Sequence, residues 1–509
     1  MNYILRNLRV PVSSSPSFEA ELKKKLRLPS DAYNVERIIR RAVDTRSKNH
    51  PYYDYSLELT FQGKVPTHND LLPIKPAEEP IFSPHILGDS RPVIIGMGPA
   101  GLFCALAMVE NGLQPIICDR GKALEDRALD VQASWAGADP DPESNVQFGE
   151  GGAGTFSDGK LTSRGMDPVI GRVFDLLVEF GADPAIKFEA LPHCGTDGIR
   201  ALVQRIRSYL ISKGVEFRYS TCLIDIQFES QSLRKIRLND DWQDCETLIL
   251  ALGNSARDTF RMLHKRKIPM EAKPFAVGYR IEHHQDAINK AIYGSQKWTE
   301  LLGPATYRLA HKGVYSFCMC PGGEVIAASS SPGTIVTNGM SYSHRKGKFC
   351  NSAIVSGVDE KIYGEGLFAG MDFQERIEKA SHNPLNAAPA EDLDSFLSNQ
   401  TPRLSDEVSY RPAVVCRELS TVYPVLVTNQ IKSALQRFGS VLSGFNRDAV
   451  LIAPETRTSS PVRITRDSQT RGSMGLQGIF PIGEGSGYAG GIISSAADGF
   501  RTGLIMRIR

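Results

Sequence analysis

The run from Val93 through Ile95 into Gly96-Met-Gly-Pro-Ala-Gly101 constrains this chain more than any other feature. Three β-branched residues form a short buried strand, the glycine pattern makes a tight turn, and residues 102–111 continue as an apolar helix closed by Gly112. Gly96 permits the turn, Gly98 lets backbone approach a pyrophosphate, and Gly101 lets the helix pack close to the strand. The helix N-terminus stabilises phosphate charge. A second buried strand over residues 115–119 ends at Asp119, where an acid hydrogen-bonds a ribose 2′-hydroxyl and disfavours a 2′-phosphate. A dinucleotide site for FAD or NAD, rather than NADP, is the expectation.

Two later segments complete a pattern. Residues 247–258, TLILALGNSARD, read as a buried strand entering a glycine turn. Before them lie a helix over 196–213, with Thr196 and Asp197 as expected caps, and a β-rich stretch over 215–238. Near the C-terminus, residues 478–499 read as a strand, an acidic glycine turn and a helix starting near Gly490 or Gly491. This order of elements resembles the glutathione reductase-type flavoproteins with a Rossmann domain. The likeness sharpens in DRALDVQASW (126–135), in DPESNVQFGEGGAGTFSDGKLTSR (141–164) and in YSFCMCPGG (315–323). These blocks are similar to those of a family of uncharacterised FAD-dependent dehydrogenases, and the likeness spans nearly the whole chain.

The resemblance implies FAD. It implies that Gly96, Gly98, Pro99, Ala100, Gly101, Asp119 and Arg120 hold the adenosine diphosphate half. The flavin half falls to Gly152, Ala153, Gly154, Thr155, Phe156, Ser157, Asp158, Gly159, Lys160 and Leu161, joined by Gly253, Gly483, Glu484, Gly491 and Ile492. The wider superfamily commonly places Asp where Glu484 stands. With no second glycine strand-turn-helix, reduction of the flavin is expected from a transiently docked NAD(P)H, another protein or the substrate.

Flavin chemistry puts the electrons on the cofactor, so the protein positions substrate and manages protons. Lys160 is a candidate for positive charge beside the ring; pairing with Asp158 or Glu150 is the alternative. His193, before the helix that follows it, is a candidate proton donor or a structural histidine. Cys318 and Cys320 alternate onto one face of an expected strand, either as small thiols lining a cavity or as a thiol relay. The segment 315–322 is expected to line the substrate cavity, by analogy of position alone.

Organisation follows from composition. The expected fold class is α/β and α+β: a discontinuous Rossmann-type FAD domain over 91–165, 190–260 and 470–509, and an inserted mixed-sheet substrate domain over 261–469. A small N-terminal α+β module over 1–62 precedes a proline-rich linker over 63–90, too interrupted for regular structure. In the module, strands are expected over 3–10 and 55–61 and helices over 17–28 and 35–43. Its first fifty residues carry eleven Lys or Arg against five acids, either a docking surface for nucleic acid or a solvated face. Overall, 59 basic against 57 acidic residues give no global reason to invoke nucleic acid or membrane. Nine cysteines without paired spacing give no metal site, and the absence of an apolar run near the length of a spanning helix, with reduced thiols, gives a cytoplasmic expectation. A small-molecule substrate is expected at the domain interface.

Overall fold

The computed structural model describes the chain except residues 14–16, 49, 75–81, 89, 163–166, 406 and 509. Parts of the expected linker, and Arg164 of the long glycine block, lie outside the described residues. At the centre is a five-stranded parallel sheet in the order Ile479–Pro481, Leu248–Leu250, Val93–Ile95, Ile116–Cys118, Glu216–Arg218. Each central strand is buried on both faces, which is why it reads as an unbroken apolar run. Helices Pro99–Glu110 and Ile492–Ile505 pack together on one face with helix Gly195–Ser212. They cross at small residues: a Cβ on Gly499 would stand 1.9 Å from the Ala100 carbonyl oxygen, and one on Gly503 2.4 Å from that of Cys104. A three-stranded antiparallel sheet and helix Arg257–Lys265 pack in the core on the other side of the chain's central strands. The architecture is α/β with a Rossmann-like parallel sheet.

The second body is a seven-stranded mixed sheet, in the order Ala310–His311, Val314–Cys320, Phe349–Val358, Phe275–His284, Val450–Glu455, Ala388–Asp392, Val414–Cys416. Only the last pair runs parallel. Helix Val425–Val441 packs its apolar side into the same core.

The N-terminal residues make a four-stranded antiparallel sheet, Tyr33–Asp44, Tyr52–Phe61, Tyr3–Pro11, Leu71–Pro73, carrying helix Glu19–Leu26. The helix expected over 35–43 is a strand. Val35, Ile38 and Arg41 stand three apart opposite the buried Leu59, Leu57 and Tyr55 because the register against the neighbouring strand shifts twice, between Val35 and Arg37 and between Ile38 and Arg40. Each bulge inserts a residue and turns a step of two into a step of three, which imitates helical spacing. The proline-rich stretch is also more ordered than expected, since Leu71–Pro73 joins the sheet and His85–Ile86 pairs with Met506–Arg507.

Seven of the eleven basic side chains of residues 1–50 stand in ion pairs: Arg9, Lys24, Lys25, Arg37, Arg40, Arg41 and Arg46. Their partners include Asp54, Glu58, Asp70 and Glu189, which lie later in the chain. Arg41 also ties the module to the Rossmann body: its N–H donates to the Phe188 carbonyl at 2.7 Å and its carbonyl accepts from Ala190 at 2.8 Å. Its guanidinium donates to Glu189 and lies against the Tyr53 and Phe188 rings. Arg41→Ala leaves both backbone bonds and removes a partly exposed pair worth about 1 kcal/mol or less. The melting midpoint is therefore expected to fall by no more than about 2 °C in calorimetry; a much larger fall would show that the side chain carries the docking.

Candidate functional site

The glycine turn behaves as its pattern requires. A Cβ on Gly96 (φ +109°) would lie 2.3 Å from the Ala251 carbonyl oxygen, and one on Gly101 1.9 Å from that of Gly96, so both glycines serve close packing. Gly98 differs: a Cβ there would meet only the Gly152 Cα, at 3.9 Å. It caps helix Pro99–Glu110 without any side-chain hydrogen bond, which leaves the first N–H groups open to a ligand. Gly491 caps helix Ile492–Ile505 in the same way, and Cβ atoms on Gly253, Gly490 and Gly491 would meet nothing. Gly483 (φ +78°) packs against the Ala100 methyl.

The turn Gly152–Phe156 joins these two helix ends. Gly152 touches the Gly98 Cα and Gly154 faces the Ile492 side chain. Ala153 lies between them, Thr155 and Phe156 turn inward and are buried, and Leu161 closes the segment in the core. Ser157 donates to the Gly154 carbonyl and accepts from Gly159 N–H at 3.1 Å.

Sequence reasoning missed what holds this turn. Arg127 is fully buried, and its guanidinium makes five hydrogen bonds, to the carbonyls of Asn145, Val146, Gly149 and Glu150 and to the Thr155 hydroxyl. It also lies 4.9 Å from the Phe156 ring centroid. Burial lowers its pKa to about 9, which leaves it protonated at neutral pH. Four of the acceptors are backbone carbonyls, so no side-chain spacing announces them.

Asp119 ends its strand as expected but binds protein as well: its carboxylate accepts from Met97 N–H at 2.8 Å and Gly121 N–H at 2.9 Å, clamping the glycine turn. Arg120 pairs with Asp258 and Glu143 and lies over Phe148. Glu484 accepts from Asn254 Nδ2 at 2.8 Å; burial pushes its pKa up to about 7, against that hydrogen bond and the charge of Lys273. An acid raised in the folded state contributes stability that is full below its unfolded pKa and lost as pH rises through the folded one. Glu484→Gln is therefore expected to flatten part of the stability loss between about pH 4.5 and 7, read from urea midpoints of cofactor-free protein; an unchanged slope would contradict this.

Lys160 pairs with Asp158 at 3.0 Å rather than with Glu150, donates to the Met319 carbonyl and reaches within 4.0 Å of Cys318 Sγ. Its side chain keeps 30% of its surface open although it lies deep in the molecule. Asp158 is buried and also binds Arg345 at 2.6 Å and Ser341; burial opposes its charge, but Lys160 and Arg345 hold its pKa below the ordinary value. His193 bridges the Lys160 backbone and points Nε2 at the Ser343 carbonyl at 3.4 Å. Burial and Arg345 lower its pKa, which makes it a neutral imidazole at pH 7. Thr196 and Asp197 do not cap their helix. Thr196 donates to the Thr155 carbonyl at 2.6 Å and Asp197 accepts from Ser343, so both reach across to neighbouring segments.

Cys318 and Cys320 do not alternate regularly. The strand Val314–Cys320 bulges between Phe317 and Cys320, and Cys318 takes a left-handed backbone, φ +47°. Cys320 is fully buried and donates to the Cys318 carbonyl at 3.3 Å, whereas Cys318 is partly exposed. The site thus joins three strand ends of the parallel sheet, the Gly152–Leu161 block and the second strand of the mixed sheet. The open glycines, two uncapped helix ends and a deep carboxylate suit an extended, phosphate-bearing cofactor with a polar chain.

Residues 274–458 match the family described as FAD-dependent protein, C-terminal domain-like. An uncharacterised protein of Clostridium beijerinckii is 37% identical over 509 residues, covering 95% of this chain and 94% of its own length. Among solved structures, the halogenase PltM aligns at 11% identity with a TM-score of 0.39, over 81% of this chain and 68% of the halogenase. The L-amino acid deaminase from Proteus vulgaris aligns at 10% identity with a TM-score of 0.37, over 84% and 96%. Likenesses this distant carry no functional reading. No helix among the described residues is long and apolar enough to cross a membrane.

Proposed function

We propose an FAD-binding oxidoreductase as the function of this chain, which belongs to one family with the clostridial relative and over residues 274–458 matches the FAD-dependent protein, C-terminal domain-like family. One observation carries the reading: Gly98 and Gly491 each cap a helix without a side-chain bond, an added Cβ would meet no described atom closer than 3.9 Å at either, and the Gly152–Phe156 turn lies beside both. Gly98 and the first turn of helix Pro99–Glu110 would hold the pyrophosphate, with Asp119 keeping the glycine turn in shape. Glu484, oriented by Asn254, would hold the hydroxyl chain, and the N-terminus of helix Ile492–Ile505 would face the electron-rich edge of the ring. When bound, FAD supplies a two-electron centre that exchanges hydride at N5 with an organic substrate. Lys160 brings positive charge to the same space, and the mixed sheet contributes the wall carried by Val314–Cys320.

The protein purified from cells is expected to be yellow, and acid release is expected to yield FAD in near-stoichiometric amount. A colourless protein that takes up no FAD in an equilibrium titration would overturn the reading.

A further inference from the structure

Two thiols, one ammonium and one guanidinium meet where the mixed sheet abuts the Gly152–Leu161 block. Cys318 Sγ lies 4.0 Å from Lys160 Nζ, and the Cys318 carbonyl accepts both the Cys320 thiol, at 3.3 Å, and Arg280 Nη1, at 3.1 Å. Gly339 backs this group closely: a Cβ there would meet Cys320 Sγ at 3.0 Å and Arg280 Nη1 at 2.7 Å.

The charges around Cys318 do not cancel without it. Arg280 is neutralised by Glu455, its buried partner. Lys160 and Arg345 share the single carboxylate of Asp158, so that group carries one net positive charge. A thiolate at Cys318 balances it. The neighbouring Cys320 thiol, against burial and with the charges of Lys160 and Arg280, holds the Cys318 thiol below its usual range, while the neighbouring Cys318 side chain and burial raise Cys320. The backbone points the same way. Cys318 occupies the left-handed position of a bulge, which glycine fills at no steric cost, and such strained residues cluster where chemistry needs a side chain re-aimed.

We propose that Cys318 and Cys320 form a dithiol–disulfide centre that exchanges an electron pair with the flavin, with Cys318 as the reacting thiolate and Cys320 as its bridging partner. This rests on the FAD reading above. In the step, the Cys318 thiolate and the Cys320 thiol join as an S–S bond; two electrons and the Cys320 proton pass to the oxidised ring. External thiols restore the pair by exchange, two thiols leaving as their own disulfide, and the partly exposed Cys318 sulfur is the one they reach. The substrate class is then thiol and disulfide compounds.

Holoprotein oxidised with diamide and titrated anaerobically with dithionite is expected to consume two electron pairs per flavin, and Cys318→Ser one pair. Digestion before reduction is expected to give the peptide bearing both cysteines lighter by two hydrogens. In a second measurement that needs no variant at Cys320, iodoacetamide at pH 6 is expected to alkylate Cys318 first, and about twofold more slowly in Lys160→Met, where loss of the neighbouring cation takes a mostly ionised thiol to about half ionised. A flavin that takes up one pair in both proteins, with two free thiols throughout, overturns this inference and leaves the FAD reading standing; protein that holds no FAD overturns both.

Discussion

Arg127→Met is expected to fold poorly and to purify with little or no flavin. The substitution keeps the volume of a long side chain but strands three buried carbonyls, those of Asn145, Val146 and Glu150, and leaves the Gly149 carbonyl and the Thr155 hydroxyl with only their bonds to Gly152. At about 1 kcal/mol for each stranded acceptor, the loss is roughly 3 kcal/mol or more, a large fraction of what a folded protein has in reserve. Arg127→Lys retains the charge but supplies at most three donors where five bonds are made, so it is expected to recover only part. The measurements are the melting midpoint and the ratio of visible to protein absorbance. A variant as stable and as yellow as the parent would show that the Asn145–Thr155 segment holds itself.

Gly98→Val is expected to do the opposite, to spare the fold and expel the cofactor. The backbone at Gly98, φ −76° and ψ −176°, suits any residue, and a Cβ there meets no protein atom closer than 3.9 Å. The added methyls stand where a pyrophosphate would come against the chain, and overpacking of up to about 3 kcal/mol weakens binding by about a hundredfold. Gly101→Ala is the control, because its Cβ would stand 1.9 Å from the Gly96 carbonyl oxygen and must push the strand and helix apart. It is expected to lower the melting midpoint of cofactor-free protein, which Gly98→Val leaves unchanged. Binding of FAD to Gly98→Val with parental affinity would place the cofactor elsewhere.

The contrast between these glycines shows what was legible in the chain. The strand-turn-helix at residues 93–110 is contiguous, and each glycine answers a local steric demand, so the pattern and the fold say the same thing. The acidic turn and helix at 483–505 are local too. Arg127 was not legible, since four of its five partners are backbone carbonyls, up to 23 positions away. The helix expected over 35–43 fell to two bulges that mimic helical spacing. Strands Phe275–His284 and Phe349–Val358 are buried almost throughout, so neither shows an alternation to read. For the same reason the residues that close the site from that body, Arg280, Ser341 and Arg345, carry no sequence signal beyond their polarity. Cys318 and Cys320 drew notice as neighbours, yet the bulge that separates their roles appears only in the strand register.

The most direct test of the central claim, that this chain is an FAD-dependent oxidoreductase, is anaerobic titration of the purified protein with NADH, NADPH and then dithionite, following the visible band of the oxidised flavin. The bound flavin is expected to bleach fully, with at least the last of these donors, and to recover its colour when an electron acceptor is admitted. A flavin that stays oxidised with every donor would contradict it and leave FAD as a structural ligand.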